Sequence, residues 1–232
     1  FSTSCSSSTS VKWKNSYIRF GWIDFEQEEE IAKKLLTQVE IWAKEKGMNA
    51  VHGPIGFTNF DYAGLLIEGF DQVGTFATIY NYPYYPLFIE RAGYQKDVDW
   101  VEYKIKLPVV LPERLEKIAA IVQKRHQFCV VKMATTKDIL SYSKDIFRLI
   151  NSAYSGLYGM VALSEKQIEY STRKFLSFIR PDFVSLVLDK NNELAAFGIT
   201  MPSLSLALQK AKGGLYPFGF IHILKAIKKN NL

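Results

Sequence analysis

The stretch Tyr17–Phe25 reads YIRFGWIDF, and EQEEEIAKKLLTQVEIWAKEK follows it directly over Glu26–Lys46. The first segment is rich in aromatic and β-branched side chains, which fit a pleated, half-buried surface, so it predicts a strand. In the second, Ile31, Leu35, Val39 and Trp42 recur at helical spacing, Leu36 and Ala43 widen the stripe, and charges fill the other face. That pattern predicts an amphipathic helix with Gly47 as its C-terminal stop. Asn49–Ile55 (NAVHGPI) returns as a short strand, and Gly53-Pro54 marks where it bends or stops pairing.

Working outward, Phe57–Tyr85 mixes Gly, Asn, Asp and Pro with many aromatics, which predicts a long ordered loop of the kind that carries function. Pro86–Ala92 reads as a short helix ended by Gly93, and the alternation of Trp100–Leu107 (WVEYKIKL) predicts an antiparallel strand. Pro108 and Pro112 break the pattern and set a domain boundary, giving 11–108 and 109–232 after a flexible tail over 1–10. The second part predicts a helix over Glu113–Arg125 and a strand over Phe128–Met133. Helices follow over Lys137–Ser152 and Glu165–Phe178, the latter capped by Ser164. Phe183–Leu188 and Leu194–Met201 form a hairpin across the polar Asp189–Glu193, and Ser203–Leu232 is helical at both ends with a Gly213-Gly214 break.

With 48% hydrophobic and 22% charged residues, the chain has a globular composition, and nothing in it approaches the roughly 18 unbroken apolar residues of a membrane span. The expectation is a cytoplasmic protein with no membrane partner. Cys5 and Cys129 make neither a disulfide framework nor a metal cluster, and His52, His126 and His222 lack ligand spacing, so no metal is expected. His52 reads as a strand residue with one hydrogen bond. The net charge of +6 concentrates only at Lys210, Lys212, Lys225, Lys228 and Lys229, where a solvated face is preferred to a phosphate or nucleic-acid site.

The order strand, helix, strand, short helix, strand over 17–107, and strand, two helices, hairpin over 128–201, resembles the closing and opening halves of the GNAT N-acyltransferase fold. Asn81-Tyr82-Pro83-Tyr84-Tyr85, then Leu87 to Gly93-Tyr94, carries the likeness. The resemblance implies an α+β fold with a mixed, mostly antiparallel sheet flanked by helices, present here as two partial repeats. It also implies transfer of an acyl group from acetyl-CoA or another acyl-CoA to a small-molecule or peptide amine. Such chemistry needs a proton acceptor for the amine, a donor for the leaving thiolate, and backbone N–H groups for the pyrophosphate.

The phosphate loop of that family is glycine-rich, whereas its place here reads Asp24-Phe25-Glu26-Gln27-Glu28-Glu29-Glu30, with the four glutamates expected in the first helical turn. Carboxylates there favour the helix dipole and repel phosphate. A functional loop would belong to the second repeat, beyond Leu232. The tyrosine that donates to the thiolate in many members stands four residues before the Gly; that position is Ile89, so Tyr84 and Tyr85 become the catalytic candidates. Asn59, Asp61 and Asn81 are the candidates for binding the acceptor. The alternative is a non-catalytic GNAT-like binding or scaffold module, in which the aromatic loop recognises a partner.

Overall fold

The computed structural model describes residues 2–4, 16–58, 60–75, 78–106, 108–176 and 179–229. Its elements are mixed α+β, and they divide into two compact units. Unit 1 comprises Phe1–Val98, Tyr158–Val161 and Pro202–Leu232; unit 2 comprises Asp99–Leu157 and Ala162–Met201.

Unit 1 is built on a sheet of order β1-β2-β3, with β1 over Ser2–Ser4, β2 over Tyr17–Gly21 and β3 over Ala50–His52. β1 runs antiparallel to β2, and β2 runs parallel to β3. Ser2–Ser4, expected in a flexible tail, are thus paired; Cys5 and the rest of that tail lie outside the described residues. β2 stops at Gly21, short of the expected Phe25, because Trp22 takes a left-handed φ of 50° that no strand accommodates.

Helix α1, Glu29–Glu45, supplies the parallel crossover. Its Leu36, Val39 and Ala43 pack on Ile18 and Phe20 of β2, and each large apolar side chain so buried contributes about 1.5–3 kcal/mol. At its end Gly47 has φ 67°, and Met48 N–H reaches Ala43 O at 2.9 Å, the glycine stop that the sequence predicts. Its start differs. Glu28 is the extended N-cap and Glu26 lies further out, so only Glu29 and Glu30 occupy the first turn. Phe25 is the cause: its backbone N and O contact tyrosine hydroxyls and its ring is buried, which holds the chain extended. Helix α2, Tyr84–Arg91, begins two residues earlier than expected, with Pro86 tolerated in the first turn where its missing N–H has no partner to lose.

In unit 2, helix α3 spans Glu113–His126 with no buried residue. Its sheet has order β4-β5-β6, all antiparallel, from Cys129–Lys132, Val184–Leu188 and Leu194–Ile199. Each unit therefore has its own three-stranded sheet. Asp189 closes the hairpin turn by accepting from the N–H groups of Asn191 and Glu193. The helix expected over Lys137–Ser152 is two, α4 (Thr136–Ser141) and α5 (Ser143–Ala153), divided at Tyr142. Helix α6, Glu165–Phe175, starts at Ser164 in a full capping box with Gln167; Phe178, its expected end, lies outside the described residues.

The strand expected over Trp100–Leu107 does not form among the described residues; Leu107 lies outside them. Trp100, Val101, Tyr103 and Ile105 are all exposed. Alternation sorts side chains onto faces, but a strand exists only when a neighbour completes its hydrogen bonds. The last part of the chain, in unit 1, is helical at both ends as expected: α7 (Ser205–Lys210) and α8 (Gly219–Lys229), with Gly213 at φ 74° in the break. Among the described residues no helix is long and apolar enough to cross a membrane.

Candidate functional site

The predicted catalytic tyrosines sit at the start of α2, where the loop after Asn81 meets the end of β2. The Tyr84 hydroxyl donates to Phe25 O at 2.9 Å, and its ring stacks on Tyr82 at 5.6 Å and 10°. The Tyr85 ring is buried against Phe25, with centroids 4.2 Å apart, and its hydroxyl bonds the Asp24 carboxylate while accepting from Phe25 N–H at 3.2 Å. Burial, then the bond to the Asp24 carboxylate, pushes the Tyr85 phenol up to about 12. A phenol that weakly acidic is a poor proton donor to a thiolate whose conjugate thiol titrates near 8.5.

A wide-mouthed cavity of about 600 Å³ opens beside these rings, lined by Glu26, Gln27, Tyr82, Pro83, Tyr84 and Leu87. Of the predicted site residues, Tyr84 alone among those described lines it. Asn81 is buried and serves the loop: its Oδ1 accepts from Leu66 N–H at 2.6 Å, and its Nδ2 donates to Leu66 O at 3.1 Å and to Tyr82 O at 3.0 Å. The Asp61 carboxylate accepts from the Thr58 N–H and hydroxyl at 2.8 and 3.0 Å and packs on Gly56, where a Cβ would come within 2.1 Å of Asp61 Cβ. Asn59 lies outside the described residues. Of the glutamates over 26–30, Glu29 pairs with Arg91 at 2.9 Å.

A second constellation in unit 1 was not visible in the sequence. Strand alternation turns Ile18 and Phe20 of β2 toward α1 and Arg19 to the other face, and the parallel register sets Arg19 beside His52 on β3. The segment Tyr158–Val161 meets that face. Arg19 is 4% exposed, its Nη2 donates to Gly159 O at 2.8 Å, and its Nε and Nη1 have no hydrogen-bond partner among the described residues. Gly159 takes φ 70°, a left-handed conformation that favours glycine, and a Cβ there would come 3.3 Å from Ile55 Cδ1.

Beside Arg19, the Tyr158 hydroxyl lies 3.0 Å from His52 Nε2 and donates to the Asp97 carboxylate, which itself stands 3.7 Å from His52 Nε2. With the single hydroxyl proton on the Asp97 side, the contact to His52 requires Nε2–H to donate, which leaves Nδ1 as the basic nitrogen. Burial holds His52 below the ordinary imidazole range, the Arg19 charge adds to the effect, and Asp97 opposes it. Burial also lowers the Arg19 guanidinium. The group therefore combines a neutral imidazole, a phenol and a fixed cation, a set suited to moving protons next to developing negative charge.

The sequence held one signal for this group, a lone cation inside an apolar strand at Arg19. Tyr158 and Asp97 gave none. Among the described residues no three His, Cys, Asp or Glu side chains gather to hold a metal ion. No family model matches the chain. No solved structure matches it either. Among known proteins the chain is similar to Protein YghO of Escherichia coli strain K12, 26% identical over 211 residues that make up 90% of this chain and 53% of that protein. It is likewise similar to a bacterial ceramide synthase of Caulobacter vibrioides, 24% identical over 214 residues, or 90% of this chain and 54% of that protein, so it spans about half the length of the curated relatives it matches.

Proposed function

We propose that this chain is part of an N-acyltransferase-like protein that joins an acyl group from an acyl-CoA to an amine. The observation that carries the reaction class is the likeness, over 90% of the chain, to a protein named for making ceramide, since a ceramide is the amide of a fatty acid with a long-chain amino alcohol. The order β2-α1-β3-α2 followed by β4, helices and the β5–β6 hairpin is compatible with the GNAT-like reading. The acyl-CoA donor comes from that reading.

In this proposal the amine nitrogen attacks the thioester carbonyl carbon, the C–N bond forms, and the C–S bond breaks. His52 Nδ1 takes the proton that the amine loses, and the Tyr158 hydroxyl protonates the departing thiolate. The imidazolium then passes its Nε2 proton to Tyr158 across their 3.0 Å contact, which leaves the proton taken from the amine on Nδ1, and exchange of that proton with solvent returns the starting tautomer. Burial, with the Arg19 charge adding to it, keeps His52 neutral before the reaction, and Arg19 stabilises the tyrosinate during it. Tyr158 thus replaces Tyr84 and Tyr85 as proton donor in the proposal, because its hydroxyl lies 3.0 Å from an imidazole that can return the proton.

One observation favours the second reading, a non-catalytic binding module: the aromatic cavity has Glu26 and Gln27 on its rim, suited to a cationic partner with apolar character. Incubating the chain with palmitoyl-CoA and a long-chain primary amine, and following thiol release and amide mass, separates the two. The catalytic reading expects amide product, with His52→Gln and Tyr158→Phe each lowering the rate by about 10²–10⁴. Absence of product together with absence of a thermal shift on adding the acyl-CoA overturns it, as do variants with undiminished rates.

A further inference from the structure

From Leu194 to Leu232 the sequence contains no Asp or Glu and five lysines. Within this stretch, Leu215, Tyr216 and Phe218 lead into α8, and they are 49%, 90% and 70% exposed. On α8 itself Phe220, Leu224 and Ile227 fall at i, i+4 and i+7, hence on one face, and Ile221 borders it. These side chains are 43%, 51%, 39% and 37% exposed. Large apolar side chains exposed together along one helix face mark a surface that soluble proteins usually cover. Lys225 lies on the flank of that stripe, Lys210 ends α7 and Lys212 follows it, all three exposed.

We infer that the α7–α8 hairpin is a peripheral docking surface for an anionic lipid bilayer. Aromatic and aliphatic side chains on one face, lysines beside them and no carboxylate nearby together match the boundary between acyl chains and anionic headgroups. A polyanion in water would account for the lysines but not for Tyr216, Phe218 and Leu224. Docking of this kind needs no spanning segment, so it departs from the expectation of no membrane partner, which rested on the lack of one. The inference is independent of the acyl-transfer proposal and stands or fails without it.

The test is co-sedimentation of the 232-residue chain with vesicles of 70% phosphatidylcholine and 30% phosphatidylglycerol, against vesicles of phosphatidylcholine alone. Binding is expected only to the anionic vesicles, and rising salt weakens it. Replacing Lys210, Lys212 and Lys225 together with Gln lowers partitioning about a hundredfold, from about fivefold per lysine. Phe218→Ser with Leu224→Ser lowers it about tenfold or more. Both variants change exposed residues, and unaltered circular dichroism confirms that the fold is intact. No sedimentation with either vesicle, equal binding to both, or indifference to the lysine variant overturns the inference. It is also overturned if the apolar variant still binds anionic vesicles as the parent does, or if the chain self-associates through this face and leaves the vesicles unbound.

Discussion

Replacing Arg19 with Met asks whether the buried guanidinium stabilises unit 1 or acts on its neighbours. Two of its nitrogens, Nε and Nη1, have no partner among the described residues, and each buried donor left unpaired costs about 1–3 kcal/mol, so removing them relieves about 2–6 kcal/mol. Against this, the substitution forfeits the bond from Nη2 to Gly159 O, about 1.5–3 kcal/mol for a charged donor, and strands the carbonyl at about 1–3 kcal/mol more. The opposing sums nearly cancel, and the methionine side chain fills a similar volume. Arg19→Met should therefore stay within about 2 kcal/mol of the parent, an apparent melting shift of no more than about 8 °C. Phe20→Ala on the same strand, fully buried in the core, should cost about 3–5 kcal/mol and serves as the contrast. The assay is thermal unfolding by circular dichroism, paired with an NMR titration of His52. In the variant His52 should titrate at higher pH than in the parent, since the Arg19 charge is one cause of its depression, while burial, the larger cause, still holds it below the ordinary range. Destabilisation above about 3 kcal/mol, or an unmoved His52, would refute the view that Arg19 acts on His52 rather than on stability.

His52 also predicts a pH dependence. Its folded value lies below its unfolded value of 6.5, so the unfolded chain binds the proton more readily; its stabilising contribution is complete above pH 6.5 and declines as pH falls through the folded value. Chemical denaturation between pH 8 and pH 5 should show that decline, and His52→Gln should flatten it. Asn81→Ala removes three bonds to Leu66 and Tyr82 and should cost about 1–3 kcal/mol in a urea melt, loosening the loop without moving the core. Ser164→Ala breaks the capping box of α6 and should cost about 1 kcal/mol, seen as faster amide exchange in that helix's first turn.

Where the fold was legible, a local rule was sufficient. The apolar stripe of α1, its Gly47 stop, the Ser164 cap and the Asp189 turn each involve residues within one or two helical turns of one another. The end of β2 was misjudged because Trp22 takes a left-handed φ of 50°, and the start of α1 because Phe25 is held by Tyr84 and Tyr85, about sixty residues away. Trp100–Lys106 shows the opposite limit, since its alternation satisfies every local rule for a strand and still forms none among the described residues. Period two selects which side chains share a face and carries no information about whether another strand arrives to pair.

The site follows the same division. Tyr84 and Tyr85 drew attention through the family resemblance, and Asn81 and Asp61 because aromatic and polar residues cluster along one loop, where clustering in sequence is as much a sign of a loop folding on itself as of a ligand site. The bonds of Asn81 to Leu66 and of Asp61 to Thr58 are of the first kind, and those of Tyr84 and Tyr85 to Phe25 and Asp24 tie the loop to the segment after β2. The Arg19 group draws on positions 19, 52, 97 and 158, and the separation from His52 to Tyr158 alone is 106 residues. No pattern in one sequence links such positions. What the sequence did offer was a misfit: an arginine between Ile18 and Phe20, in a strand whose neighbours are buried, must either reach water or find acceptors. In the fold it does neither completely, since one nitrogen finds Gly159 and two find no partner. A locally unfavourable residue is thus the better guide to chemistry than a locally abundant one, because its cost has to be offset by something that local structure does not supply.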